Sequence, residues 1–357
     1  MKRVVFFFLI LFVALSVDAQ AVRRLSCDYW CQWYGPAPTW RRVIPIVPPE
    51  PLNLPKGVGV IVAYSDIPKY PTAGYTEGWN IALERNKDSA QALVDMGIRT
   101  VKLWPRTHAY GWDMKQVYEN PDLDVIVVRP MQNAWSEEQG SCVEGQHSIW
   151  VTEDYGKIAM DLYERFGHLD KVIILTGWEA DHLVKNLGCE YNEEYNYSSY
   201  VKNMLDKRQA GVEAARAAYP DALLRVYHAV DINDINNNFN VVRDLDLEPD
   251  IWSLSYWKWG TYTITEMLEY IVEQTGYRPD RIIIGEVGGP VDKQYDRIVS
   301  AVTDAMEFGC PLVYVWLYVQ DWGGDNFGLW AKDEDGLFTG QWTEGMDAIV
   351  AMNEVYN

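Results

Sequence analysis

The chain has 357 residues, and the 48% that are hydrophobic are enough to bury one large core or two ordinary ones. Its formal net charge of −20 argues against nucleic-acid binding through a basic surface. Sixteen Trp and 23 Tyr residues are more than a core requires, and rings clustered after strand ends would suit stacking against sugars.

The amino terminus predicts an exported protein. Lys2 and Arg3 precede the apolar segment Val4–Leu15, which is too short to span a bilayer, and a small-residue cleavage site follows. Residues 1–19 are therefore predicted to be a signal peptide. The mature protein is expected to be secreted or periplasmic, with no membrane attachment after cleavage.

Residues 20–56 are predicted to form a Cys- and Pro-rich extension. Cys27 and Cys31 could close a tight disulfide, which export would favour. A metal site is the weaker alternative, because no His or second Cys pair lies nearby. The segment Pro45–Pro55 is typical of a semi-rigid strap or linker.

From residue 57 to residue 357 the chain alternates strand and helix patterns. Short apolar runs bounded by turn residues predict strands that are buried on both faces, and helical spacing of apolar residues predicts the helices. The predicted strands are 58–63, 100–104, 124–129, 172–177, 223–228, 251–256, 282–285 and 312–317. The predicted helices are 88–96, 155–166, 198–219, 264–275, 295–308 and 343–355, with weaker helical pieces before residue 124 and at 241–245. Eight such units predict an α/β fold, a (β/α)8 TIM barrel. A doubly wound sheet is the alternative, but no Gly-rich phosphate loop follows the first strand.

Two of the predicted strands end near a carboxylate. The strand at 282–285 leads directly into Glu286, and the strand at 172–177 is followed by Trp178 and Glu179. In a closed barrel all strand ends converge on one mouth, and strands four and seven face each other across it. Paired carboxylates in that arrangement are the inventory for cleaving a glycosidic bond.

This pattern resembles the large clan of retaining (β/α)8 glycoside hydrolases, which carry the acid/base on strand four and the nucleophile on strand seven. The motif Ile282-Ile-Ile-Gly-Glu286-Val-Gly matches the seventh-strand pattern, so the resemblance implies that Glu286 is the nucleophile and Glu179 the acid/base. It also implies that Tyr256 lies beside the nucleophile and that Trp316 forms the floor of the −1 subsite. His228 stands at a level of strand five where polar sugar contacts occur.

Other residues near strand ends are candidates for substrate binding. Trp104, Trp257 and Trp322 are each balanced between a sugar platform and packing. Arg129 could hold a catalytic carboxylate ionised or could close a layer of the barrel. Lys102, Asp181 and Asp231 also stand at predicted strand ends, and Asp181 is expected to be a helix cap or an ion-pair partner.

One position departs from the clan. The clan has an Asn directly before the acid/base, and that Asn binds the sugar 2-hydroxyl, whereas this chain has Trp178 there. Three explanations stay open: Asn133, His228 or Asn233 takes over that hydroxyl, the substrate differs at that carbon, or activity has been lost.

Cys142 and Cys189 fall in the loops after strands three and four, which are neighbours in a barrel, so export would favour a disulfide between them. Cys310 is expected to be a free buried thiol. The leading hypothesis is a secreted retaining glycosidase that acts on a polysaccharide or oligosaccharide without a cofactor or metal. The alternative is a carbohydrate-binding barrel without turnover. A metal hydrolase is weak, because only five His occur and none forms an H-x-H strand ending.

Overall fold

A closed barrel of eight parallel strands forms the centre of the protein. A computed structural model describes residues 51–63, 89–104, 112–130, 155–177, 179–181, 197–233, 241–257, 261–316, 329–332 and 338–356. The strands follow one another around the barrel in chain order, and β8 pairs in parallel with β1 to close it. The predicted (β/α)8 barrel is therefore confirmed.

Each barrel strand is followed by a helix. The strands are β1 Gly57–Ala63, β2 Thr100–Trp104, β3 Val125–Val128, β4 Val172–Thr176, β5 Arg225–Ile232, β6 Ile251–Tyr256, β7 Ile282–Val287 and β8 Leu312–Val315. The helices are α1 (residues 89–95), α2 Trp112–Tyr118, α3 Tyr155–Phe166, α4 Tyr197–Ala218, α5 Val241–Asp244, α6 Ile264–Thr275, α7 Gln294–Phe308 and α8 Glu344–Tyr356. An antiparallel pair, β9 Trp330–Lys332 and β10 Phe338–Trp342, stands between β8 and α8.

Most predicted elements lie where the sequence places them, with three differences. Strand β5 begins at Arg225 and runs to Ile232, four residues beyond its predicted end. Strand β7 continues through Glu286 to Val287 instead of ending before the carboxylate. The β9–β10 pair was not predicted, because its strands are short and lack a long apolar run.

Side chains on each strand alternate between two packed layers, as the period of a strand requires. One cluster fills the barrel interior, and the other lies between the strands and the helices. On β5, for example, Tyr227 and Ala229 belong to the interior cluster, whereas Val226 and Val230 belong to the outer one. This alternation decides which strand residues can reach the mouth of the barrel, defined here as its end at the carboxyl termini of the strands.

The compact unit that contains the barrel spans Pro48–Asn357. Leu52 and Leu54 pack against the interior cluster, so the end of the predicted extension contributes to this unit. The predicted signal peptide, together with Cys27 and Cys31, lies outside the described residues. Within the described part of the chain, no helix has both the length and the apolar character needed to cross a membrane.

Local sequence signals fix the ends of helix α6. Thr263 caps its amino terminus by accepting a hydrogen bond from the Glu266 backbone N–H, and the Glu266 carboxylate accepts one from the Thr263 backbone N–H. This reciprocal pair is a capping box. Gly276 ends the helix at φ 69°, in the left-handed region that favours glycine.

A buried amide joins the last helix to the first strand. The Oδ1 atom of Asn353 accepts a hydrogen bond from the Val58 N–H at 3.1 Å, and its Nδ2 donates to the Val58 carbonyl at 2.8 Å. One side chain on α8 therefore satisfies both backbone groups of a residue near the start of β1. Pairing between β1 and β2 begins only at Val60.

We expect Asn353→Ala to lower the free energy of unfolding by about 2–4 kcal/mol, because each buried backbone group of Val58 that loses its partner costs about 1–3 kcal/mol. Urea unfolding measures the change. Glu354→Ala is the matched control, since Glu354 is the exposed next residue of the same helix. Equal effects of the two substitutions would contradict a specific role for the amide.

Candidate active site

A buried charged cluster lies inside the mouth of the barrel. Lys102 on β2 is fully buried, and its Nζ lies 3.3 Å from Asp231 Oδ2 on β5 and 3.4 Å from Glu286 Oε1 on β7. The Lys102 ammonium also donates to the Gly285 carbonyl at 3.2 Å. Thr176 on β4 donates its hydroxyl proton to Asp231 Oδ2 at 2.7 Å. Three strands thus contribute one cation and two carboxylates to a single cluster, and a fourth strand contributes a hydroxyl.

An irregularity in β7 turns Glu286 toward this cluster. Between β6 and β7, Leu254 pairs with Ile284 and Ser255 pairs with Glu286, so Gly285 is an extra residue in β7. Such a bulge re-aims the side chain that follows it. A Cβ atom at Gly285 would lie 2.1 Å from Ser253 Oγ and 2.9 Å from Asp231 Oδ1, so only glycine fits.

Glu179, just beyond the end of β4, is held by the end of β5. The side-chain amide of Asn233 donates from Nδ2 to Glu179 Oε1 at 3.2 Å. The backbone N–H of Asn233 donates to Asp181 Oδ1 at 2.9 Å, which gives buried Asp181 a backbone partner. Glu179 is only 7% exposed. Asn233 therefore places an amide directly beside the predicted acid/base.

Burial and four neighbouring charged groups shift the pKa of Glu286. Burial raises the pKa of Glu286 from its ordinary value of 4.5 to about 7. The positive charge of Lys102 acts in the opposite direction, the negative charges of Glu179 and Asp231 raise the pKa further, and Arg129 lowers it. Because the charge of Glu179 acts on Glu286, the two carboxylates belong to one electrostatic unit.

Aromatic rings come together at the carboxyl ends of β2, β6 and β8. The ring centroids of Trp104 and Trp316 lie 4.9 Å apart at an interplanar angle of 62°, and those of Trp257 and Trp316 lie 5.9 Å apart at 84°. The guanidinium of Arg129 stacks 4.5 Å from the centroid of the Trp104 ring. The structure thus brings Trp104, Arg129, Trp257 and Trp316 together, as the sequence pattern predicted.

His228 does not lie at the mouth, so its predicted substrate contact is wrong. It faces the helix layer, where its Nδ1 lies 3.1 Å from Gln209 Oε1 and its ring packs edge-on against Tyr155 at 5.6 Å. Burial lowers the pKa of His228 to about 3, so the imidazole is neutral. The error arose because β5 runs on to Ile232, which makes His228 a mid-strand residue with an outward side chain.

Tyr256 is also misplaced by the sequence prediction. It belongs to the outer cluster, and its hydroxyl donates to the Tyr262 carbonyl at 2.8 Å. Its strand neighbour Ser255 pairs with Glu286, whereas Tyr256 pairs with Val287, which faces outward as well. The predicted contact of Tyr256 with the nucleophile is therefore corrected to packing against the helix layer.

Several sequence candidates lie outside the described residues. These are Trp178, Asn133, Trp322, Cys142 and Cys189. Cys310 is a buried free thiol, as expected, and burial raises its pKa.

The sequence prediction gave no role to Lys102 and Asp231. The available signal was a Lys inside the otherwise uncharged strand Thr100–Trp104, since a buried Lys needs a partner of opposite charge. Among the described residues, no group of three or more His, Cys, Asp or Glu side chains is arranged to hold a metal ion.

Comparison with known proteins supports the fold. No family model matches the chain, and no curated protein matches it in sequence. More than a hundred solved chains resemble this one in fold, and three of them illustrate the likeness. The AHE enzyme of Alicyclobacillus herbarius is 12% identical, with a TM-score of 0.53 over 86% of this chain and 100% of that one. A broad-specificity endoglucanase of Clostridium longisporum is 14% identical, with a TM-score of 0.51 over 85% and 97%.

The third is a β-glucosidase of Thermotoga maritima in complex with galacto-hydroximolactam. It is 12% identical, with a TM-score of 0.52 over 85% of this chain and 99% of that one. At these identities the likeness establishes the fold, and the expected resemblance to (β/α)8 glycoside hydrolases is confirmed at that level.

We expect Glu286→Gln to become increasingly stabilising, relative to the unsubstituted protein, as pH rises from 4.5 to 8. A carboxyl whose folded pKa is raised to about 7 contributes stability below its ordinary pKa of 4.5, and that contribution is lost as pH rises through 7. The amide does not ionise, so the difference in unfolding free energy should grow by about 1–3 kcal/mol. Thermal or urea unfolding across this pH range measures it.

Glu307→Gln is the control, because Glu307 is exposed on α7. Its difference from the unsubstituted protein should stay flat over the same pH range. A flat difference for Glu286→Gln as well would contradict the raised pKa.

Proposed function

We propose that the chain is a retaining glycosidase in which Glu286 is the nucleophile and Glu179 the general acid/base. The observation that carries the proposal is the placement of Glu286 at the carboxyl end of β7, buried beside Lys102 and in electrostatic contact with Glu179. Active sites of such barrels lie at this end of the strands. Two of the similar structures are, by their titles, an endoglucanase and a β-glucosidase.

The reaction proceeds in two displacements. A Glu286 oxygen attacks the anomeric carbon while Glu179 gives its proton to the departing glycosidic oxygen, which leaves a glycosyl ester on Glu286. Glu179, now ionised, takes a proton from water, and the resulting hydroxide attacks the same carbon and releases the Glu286 carboxylate. Two inversions give net retention.

The first step requires an ionised Glu286. With its pKa raised to about 7, this carboxyl is mostly protonated in acid, and the protonated form cannot attack. Lys102 and Arg129 both favour the ionised form. The rate of attack in the free enzyme should therefore rise with pH toward neutrality.

Asn233 can take the role of the amide that the clan carries directly before the acid/base. Of the three candidates for that role, His228 faces away from the mouth, whereas the Asn233 amide lies 3.2 Å from Glu179 Oε1. This amide, which directly follows β5, can both orient Glu179 and meet a sugar hydroxyl beside it. This arrangement supports the explanation that the enzyme is active although Trp178 stands in the position of the usual Asn.

The proposed substrate is a polysaccharide or oligosaccharide. The rings of Trp104, Trp257 and Trp316 lie together at the strand ends, and Trp104 stacks with Arg129, whose charge acts on Glu286. Such aromatic surfaces suit the C–H faces of sugars. The proposal includes export through the predicted signal peptide and disulfides at Cys27–Cys31 and Cys142–Cys189, which rest on the sequence pattern. A carbohydrate-binding barrel without turnover is the second candidate, favoured by the raised pKa of Glu286 and by Trp178.

We expect Glu286→Gln to lower kcat on a β-glucan and on nitrophenyl β-glucoside by roughly 10⁴-fold, because an amide cannot form the glycosyl ester. Glu179→Gln should slow β-glucan cleavage by about 10²–10⁴-fold. Its effect on ester formation from the nitrophenyl substrate should be much smaller, since nitrophenolate leaves without a proton.

Product formation by proton NMR, which also reports the anomeric configuration of the first product, is the measurement. Glu307→Gln is the exposed control and should retain full activity. Binding without any turnover in the unsubstituted protein would favour the second candidate, and an inverted first product would overturn the nucleophilic role of Glu286.

A further inference from the structure

We propose that Lys102 and Asp231 are positioning residues that together control the charge of Glu286. In this arrangement, the Lys102 ammonium contacts both carboxylates. The negative charge of Asp231 therefore weakens the effect of Lys102 on the ionisation of Glu286. The catalytic meaning of the inference rests on the proposed function. Its physical content, the ionisation of Glu286, does not.

Each of the three N–H donors of the Lys102 ammonium can have its own acceptor. Three acceptors surround this ammonium: Asp231 Oδ2 at 3.3 Å, the Gly285 carbonyl at 3.2 Å and Glu286 Oε1 at 3.4 Å. The side chain is fully buried, so solvent does not screen it. Lys102 therefore holds Glu286 through a carboxylate contact and through the carbonyl of the preceding residue.

Asp231 competes with Glu286 for this cation. Its Oδ2 atom accepts hydrogen bonds from both Lys102 and the Thr176 hydroxyl, at 3.3 Å and 2.7 Å. The negative charge of Asp231 opposes the ionisation of Glu286, against the effect of Lys102. The Thr176 bond thereby links the end of β4, just before Glu179, to the charge of the nucleophile.

Two further charges act on Glu286. Glu179, after β4, opposes its ionisation, and Arg129, after β3, favours it. Neither is altered by a substitution at Lys102 or Asp231. Removing the charge of Lys102 leaves Glu286 near the negative charges of Glu179 and Asp231, with Arg129 as the remaining cation, whereas removing the charge of Asp231 leaves Lys102 paired with Glu286. The two substitutions should therefore shift the ionisation of Glu286 in opposite directions.

A purely structural role predicts something else. If the Lys102–Asp231 pair only filled the barrel, both substitutions would lower stability and neither would shift the ionisation of Glu286 in a direction set by charge. The sign of the shift separates the two cases. Asp231→Asn is nearly isosteric and keeps an oxygen that can accept from Lys102, so it disturbs packing least.

The experiment compares Lys102→Met and Asp231→Asn in the full chain. Infrared spectra at stepped pH follow the carbonyl band of the protonated carboxyl, assigned as the band that Glu286→Gln removes from among the 51 acidic residues. We expect the ionisation midpoint to rise by about 1–3 pH units in Lys102→Met and to fall by about 1 unit or more in Asp231→Asn. The acid limb of kcat/KM on nitrophenyl β-glucoside should move with it.

Asp292→Asn is the control, because it removes the same charge from an exposed position five residues after Val287. Its midpoint should shift by less than about 0.3 unit, since solvent screens an exposed charge. If Lys102→Met does not fold, Asp231→Asn decides alone. A shift in Asp231→Asn no larger than that of the control, or an upward shift, overturns the inference.

The outcome is separable from that of the proposed function. A protein without glycosidase activity that still shows the opposite infrared shifts would sustain the charge control and reject the enzyme. An active enzyme whose midpoints do not move would sustain the enzyme and reject the charge control.

Discussion

A buried ammonium group needs negative charge beside it, and the arrangement of the barrel mouth follows from that need. Lys102 projects from β2 into the interior and meets Asp231 from β5 and Glu286 from β7. Removing Lys102 would leave both carboxylates buried without the cation that they share, which costs several kcal/mol. The cluster therefore ties three strands at the open end of the barrel, where the apolar interior cluster gives way to polar side chains.

Backbone register supplies the second half of this arrangement. In a regular strand, Ile283 and Gly285 would face inward, and Glu286 would face the helices as Ile284 does. The extra residue in β7 relative to β6 lets Glu286 reach Lys102, and the missing side chain at Gly285 leaves room for Ser253 and Asp231. The Gly-Glu sequence is thus a steric requirement of the charged cluster as much as a motif.

The sequence predicted the barrel well, because fully buried parallel strands leave apolar runs that are hard to mistake. It also predicted the level of the mouth, and hence Glu179, Glu286 and the Trp residues around them. It failed where the facing of one residue mattered. Tyr256 lies at the end of its strand and His228 lies in mid-strand, and both side chains point outward, because the direction of a side chain depends on strand alternation and register, which composition does not reveal. The Lys102–Asp231 contact joins residues 129 positions apart, so only the closed barrel brings it about.

The proposed mechanism and the electrostatics of the free protein favour different positions for one proton. A retaining cycle begins with the proton on Glu179, yet burial and the charge of Asp231 favour keeping it on Glu286, and the Asn233 amide donates to Glu179 as it would to a carboxylate. Lys102 and Arg129 act against this preference, because both favour the ionised form of Glu286. The burial that raises the pKa of Glu286 also keeps solvent from screening the charges of Lys102 and Arg129, so the same buried site both opposes and supports the ionised form of Glu286.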